Sequence, residues 1–102
     1  MIGRIWRGWT TRENGKAYEE VFRTNVLPEI NAVEGCRGAY LLRKDINDEV
    51  EFVALTLFES LEAVQRFAGE NYQLAVISPA ASEVLSRFEE SVTHYEVIIR
   101  PN

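Results

Sequence analysis

His94 is the one histidine in the sequence, and an unperturbed pKa near 6.5 makes it the side chain best suited to take up a proton at neutral pH. Glu96 falls on the same side of an extended chain, so the two could act as a base with a carboxylate nearby. Same-face neighbours on a strand stand about 6–7 Å apart, too far to guarantee a direct hydrogen bond. A structural histidine, hydrogen-bonded across a sheet or a subunit interface, is the competing reading. Near the other end of the chain, Arg4 and Arg7 are interleaved with Trp6 and Trp9. A cation on a strand that is covered on both sides must be paired or must face a cavity. One arginine could hold a substrate phenolate; an ion pair to Glu51 or Glu96 accounts for the same residues without a ligand. Trp6, Trp9, Tyr40, Phe52 and Tyr95 would suit the wall of a flat aromatic pocket, or equally a core and an interface.

Other chemistry is poorly provided for. Cys36 is the single cysteine, which rules out an intramolecular disulfide or a CxxC pair and reads as a small buried hydrophobe opening a strand. One histidine without a cysteine partner cannot furnish a typical zinc ligand set. Eleven Lys and Arg against sixteen Asp and Glu leave a net charge of −5, which repels nucleic acid and anionic lipid alike. Apolar runs such as Val53–Leu55 fall far short of the ~20 residues that span a bilayer, and no signal peptide opens the chain. A cytoplasmic protein with neither membrane nor nucleic-acid partner is expected. With 102 residues, 46% of them hydrophobic, residues 1–102 make one domain, whose core competes with any pocket for space.

The elements that must position these residues follow from periodicity. Ile2–Thr10 alternates large residues on both faces, with Ile2, Arg4 and Trp6 on one and Ile5, Arg7 and Trp9 on the other, and predicts a strand covered on both sides. From Glu13 to Val33, apolar residues at Ala17, Val21, Phe22, Val26, Ile30 and Val33 recur at helical spacing, with Pro28 kinking or ending the regular part. Gly35 closes this helix. Cys36–Lys44 and Glu49–Phe58, joined by the polar turn 45–48, predict an antiparallel hairpin. Ser60 is an N-cap for a helix carrying Leu61, Val64, Phe67 and Ala68 and stopped by Gly69. Ser78 before Pro79 opens another helix, expected to run through Val84, Leu85 and Phe88. Glu89–Arg100 alternates once more as a last strand, with His94 and Glu96 on one face and Tyr95 on the other.

Strand, helix, strand, strand, helix, strand is the split βαβ order of an α+β ferredoxin-like sandwich: a four-stranded antiparallel sheet with helices on one face. The other face should then be polar, yet one row of the third strand, one of the two tryptophans, and Val92 with Ile98 would lie there. A second copy related by a twofold axis would cover it, closing two sheets into a dimeric barrel.

Several stretches resemble the antibiotic biosynthesis monooxygenase family of dimeric α+β barrels: Leu27-Pro28 at the helix end, Glu34-Gly35-Cys36-Arg37-Gly38-Ala39 leading into the second strand, and Leu57-Phe58-Glu59-Ser60-Leu61-Glu62-Ala63 at the strand-to-helix join. Phe67-Ala68-Gly69 and His94-Tyr95-Glu96-Val97 are similar to a bacterial subgroup whose function is mostly unassigned. These motifs are turns and packing positions, so they specify the fold more than the reaction. The resemblance implies a homodimer needing no metal or flavin, in which a quinol, anthrone or polyphenol-like substrate is deprotonated and its anion reacts with dioxygen. On that expectation His94 is the base and no cofactor is needed, while Trp6, Arg4, Tyr95 and Glu96 bind substrate. A non-catalytic dimer that binds a small hydrophobic ligand, or serves a stress role, is the first alternative, and a haem-binding or haem-degrading protein the second. A haem-degrading branch uses a first-strand asparagine with a tryptophan and a histidine on the second crossover. Here 1–10 contain no asparagine, and 61–88 neither tryptophan nor histidine, so those roles do not carry over.

Overall fold

The computed structural model describes residues 1–101. Strand β1 (Ile2–Thr11) lies inside the sheet. It is paired antiparallel along its whole length with β3 (Glu49–Phe58), from Ile2 opposite Phe58 to Thr11 opposite Glu49. Strand β2 (Cys36–Ile46) flanks β3 through the hairpin, whose turn places Asn47 in the left-handed region at φ 54°. On the far side of β1 lie two short strands, β4 (Arg87–Phe88) opposite Trp9 and Gly8, and β5 (Thr93–Glu96) opposite Ile2–Ile5. The helices pack on one face, giving the ferredoxin-like α+β sandwich.

That face is the one bearing Arg4 and Trp6. The Trp6 ring packs against Tyr18 and is 7% exposed, whereas Trp9 turns to the open face, where Arg87 stacks 3.9 Å above it. Gly8, on the same side as Trp6, makes room for the indole: a Cβ there would stand 2.7 Å from Trp6 Cζ2. Gly35 has a comparable role, since it sits at φ +91° and a Cβ would meet that of Ala63 at 2.7 Å.

The first crossover is helical from end to end but changes pitch midway. α1 (Gly15–Val21) runs into a π-helical segment (Phe22–Val26) and then α2 (Leu27–Asn31). The Leu27 N–H accordingly reaches back five residues to Phe22 O. Pro28 explains the widening: it has no N–H to donate to Thr24 O, and its ring would clash with that carbonyl in a regular α-helix. The buried stripe therefore runs through Tyr18, Phe22 and Ile30, with Val26 half-buried. The expected Ala17 is exposed instead.

α3 (Leu61–Ala68) starts as expected, with Ser60 Oγ accepting from Ala63 N at 3.2 Å, and Gly69 ends it at φ +81°. α4 (Pro79–Val84) is capped in the same way by Ser78, but it is shorter than expected. Leu85 turns extended, Ser86 N–H donates to Trp9 O and Glu89 N–H to Arg7 O, and these bonds draw the chain into the sheet as β4. The single last strand expected over Glu89–Arg100 is likewise corrected. Residues 90–92 bow out between β4 and β5 and bond a neighbouring loop instead, through Ala75 N–H to Glu90 O and Val92 N–H to Gln73 O.

Candidate functional site

A cleft open to solvent lies between the helix-bearing face of the sheet and the first crossover. Its floor is Arg4 and Trp6 of β1 with Ala54 and Thr56 of β3. Its roof is Tyr18, Phe22, Val26 and Ile30, and Phe67, Val76 and Ile77 close its sides. Its mostly apolar lining with a few polar groups is of the kind found in small-molecule sites.

Arg4 is the polar centre. It is 4% exposed and has no carboxylate partner among the described residues. Nη1 donates to Tyr72 O at 2.6 Å and Nη2 to Leu74 O at 3.0 Å, so the guanidinium pins the 70–77 loop against the sheet. Phe67 lies beneath it, 5.5 Å from ring centroid to Cζ. Burial lowers its pKa from 12.5 to about 10, which leaves it charged at neutral pH. The ion pair that would have explained Arg4 without a ligand belongs to Arg7, which approaches Glu51 at 3.6 Å and Glu89 at 3.7 Å on the open face.

His94 stands directly across from Arg4 in the β1–β5 ladder, and its Nε2 lies 3.1 Å from Arg4 Nη1. A guanidinium only donates, so Nε2 accepts and the proton of the neutral imidazole sits on Nδ1. Burial first, and the Arg4 charge second, push its pKa below the usual 6.5. The imidazole reaches the cleft only by way of Arg4, and its ring edge meets Tyr72.

Of the residues expected to bind substrate, Arg4 and Trp6 line the cleft. Trp6 presents only its ring, because its Nε1–H is spent on Glu89 O at 3.0 Å. Tyr95 lies on the opposite face of the sheet and is 57% exposed. Glu96 shares the side of His94 but is exposed at the strand end opposite Ile2. The structure therefore joins Arg4, Trp6 and His94 and leaves Tyr95 and Glu96 apart. Cys36 packs among apolar residues and accepts the Gly38 N–H at 3.4 Å.

Two polar wall residues escaped sequence reasoning. Thr56 is directly opposite Arg4 on the cleft side of β3, a position readable from hairpin register once the face was known. Tyr18 is 3% exposed, yet its hydroxyl hydrogen-bonds no described residue, and no fully buried polar side-chain atom among those residues lacks a partner. The hydroxyl is therefore not fully enclosed, and the residue lines the cleft. Burial holds its pKa well above 10, so it remains a donor.

Among the described residues, no cluster of His, Cys, Asp or Glu is placed to hold a metal, and no helix is long and apolar enough to cross a membrane.

Comparison with known proteins agrees with this architecture. The family described as antibiotic biosynthesis monooxygenase matches residues 1–79. The haem-degrader MhuD of Mycobacterium tuberculosis, solved with two haems in its active site, is 22% identical, with all of both chains covered and a TM-score of 0.65. A structure provisionally named an antibiotic biosynthesis monooxygenase, from Nitrosomonas europaea, is 12% identical over 97% of this chain and 100% of that one, TM-score 0.70. One of the same provisional name from Bacillus cereus is 17% identical over 100% and 95%, TM-score 0.70. At these identities the likeness concerns the fold. No curated protein matches the chain.

Proposed function

We propose that this chain, which belongs to the antibiotic biosynthesis monooxygenase family, oxidises a small electron-rich aromatic such as a quinol, anthrone or polyphenol, with dioxygen and no cofactor. The observation that carries the reading is Arg4: a buried cation without a carboxylate partner, set in the floor of an apolar cleft. Such a charge stabilises an oxyanion far better than it would in water. The phenol or enol proton passes to His94 Nε2 as Arg4 Nη1 exchanges the imidazole for the new oxyanion. The electron-rich ring lies along Trp6 and gives an electron to dioxygen. Recombination forms a C–O bond, the proton returns from His94 to the peroxide, and loss of water from the hydroperoxide leaves the quinone, so that an anthrone and O₂ yield an anthraquinone and H₂O.

The open sheet face supports a homodimer. Tyr40, Leu42 and Tyr95 are each at least half exposed on it, beside Ile5, Val53 and Leu55. An apolar surface of this kind on a small acidic domain calls for a partner, and a twofold-related copy presents the same surface in return. In this reading Tyr95 serves the interface.

The test is dioxygen uptake by the purified protein over a panel of quinols, anthrones and flavonols, with His94→Ala alongside. Uptake by the wild type that drops in the variant is expected. No uptake across the panel, with ligands still bound, would replace catalysis by ligand binding alone.

A further inference from the structure

The cleft has two polar ends. At one, Arg4 lies over Phe67 beside Thr56. At the other, Tyr18 comes down from α1 against Phe52, 4.9 Å between ring centroids, and against Trp6, the next residue of β1 on the cleft side. Between the two ends the walls are apolar or aromatic.

We infer that Tyr18 is a specificity residue: its hydroxyl donates a hydrogen bond to a second oxygen of the ligand, so the site selects aromatics with an acidic hydroxyl at one end and a carbonyl or hydroxyl at the other, as in the quinol–quinone series, over simple phenols. This rests on the assignment of the anion to Arg4. Tyr18 is buried among Trp6, Phe22 and Phe52, where phenylalanine would pack as well. The hydroxyl makes no internal bond, so its role is free to be ligand recognition. A phenol held above its ordinary pKa by burial donates at any physiological pH. It also stays neutral, so it does not repel the anion bound at the other end.

Binding rather than turnover tests this, with an inert probe. 2-Hydroxy-1,4-naphthoquinone is an anion at neutral pH whose charge is shared by the oxygens on C2 and C4, with the C1 carbonyl across the ring from C4; 2-naphthoate is an anion of the same ring system lacking that carbonyl. Affinities are read from quenching of tryptophan fluorescence in wild type, Tyr18→Phe and Arg4→Met. Tyr18→Phe should weaken the naphthoquinone about tenfold, the order of one net hydrogen bond, and leave 2-naphthoate unchanged. Arg4→Met should weaken both. Equal affinity of wild type and Tyr18→Phe for the naphthoquinone overturns the inference while leaving Arg4 as the anion site. If Arg4→Met binds both anions as the wild type does, or the wild type binds neither, the anion site itself fails. Because Tyr18→Phe removes no packing atom, a folded variant is expected, and an unchanged melting temperature checks it.

Discussion

Replacing Arg4 by methionine should separate a binding role from a structural one. Methionine fills much of the space of the arginine stem and removes the charge. Burial takes the guanidinium from 12.5 to about 10; at about 1.4 kcal/mol per unit, holding the charge inside costs on the order of 3 kcal/mol. The sign follows from the direction of the shift: the folded pKa lies below the unfolded one, so the penalty is fully present below pH 10 and is relieved only above it. The variant escapes that penalty but loses the bonds to Tyr72 O and Leu74 O, each worth about 1.5–3 kcal/mol when the donor is charged. The two effects largely offset, and a net loss of about 1–3 kcal/mol is expected, or roughly 5–15 °C in melting temperature for a domain of this size. Ligand binding has no such compensation. An anion in the cleft restores a counter-charge and recovers up to the whole penalty, on the order of 100-fold in Kd. Kd values for 4-nitrophenol at mildly alkaline pH and for its neutral methyl ether, measured on both proteins, read this out. The anion should weaken by about 30- to 100-fold in Arg4→Met, and the ether by little. Parallel changes for both ligands, or none for either, would reduce Arg4 to a clamp on the 70–77 loop.

Because burial and Arg4 hold the His94 pKa below its unfolded 6.5, the unfolded chain binds this proton more readily. Stability from this group should be constant above pH 6.5 and fall as pH drops below it; urea melts of wild type and His94→Gln should converge at neutral pH and diverge in acid, and parallel curves would contradict the assignment. The His94 Cε1–H titration in Arg4→Met should move upward toward the ordinary value, since one of its two causes is gone. Gly8→Ala should push the Trp6 ring off the floor of the cleft and cost about 1–3 kcal/mol as an overpacking change, with altered Trp6 emission as the local readout. Leu42→Glu, in the middle of the open face, should turn a dimer into a monomer by light scattering; a wild-type monomer at micromolar concentration would remove the twofold barrel.

Much of this molecule was legible because its elements obey simple periods. Hairpin, helix caps and strand order all follow from alternation and from Ser60, Gly69 and Ser78. The cleft was only half legible. β1 carries an arginine and a tryptophan on each face, so alternation identified two candidate pairs and could not choose between them. Gly8 chooses, by leaving the space into which Trp6 lies. Tyr18 was missed because Ala17 and Tyr18 stand at the same helical spacing from Val21 and Phe22, and pitch alone does not say which of the two rows faces the sheet. The last strand was over-extended because residues 90–92 keep the alternating pattern while giving their hydrogen bonds to the 73–75 loop, a tertiary choice that no local pattern records. His94 was singled out for its chemistry, but its restraint comes from Arg4, ninety residues away in sequence.

The π segment at Phe22–Val26 is a place where the helix has taken in one residue more than an α turn holds. One residue removed from it, with Pro28→Ala to permit a regular helix, would leave α1 and α2 as one uninterrupted α-helix with Tyr18, Phe22 and Ile30 still on one face, because seven residues at 3.6 per turn come back to the same side. A deletion in α2 has no such slack: it would turn Ile30, now 2% exposed, by about 100° out of the roof. The roof of the cleft therefore tolerates a residue gained or lost at the widened turn and nowhere else along this crossover.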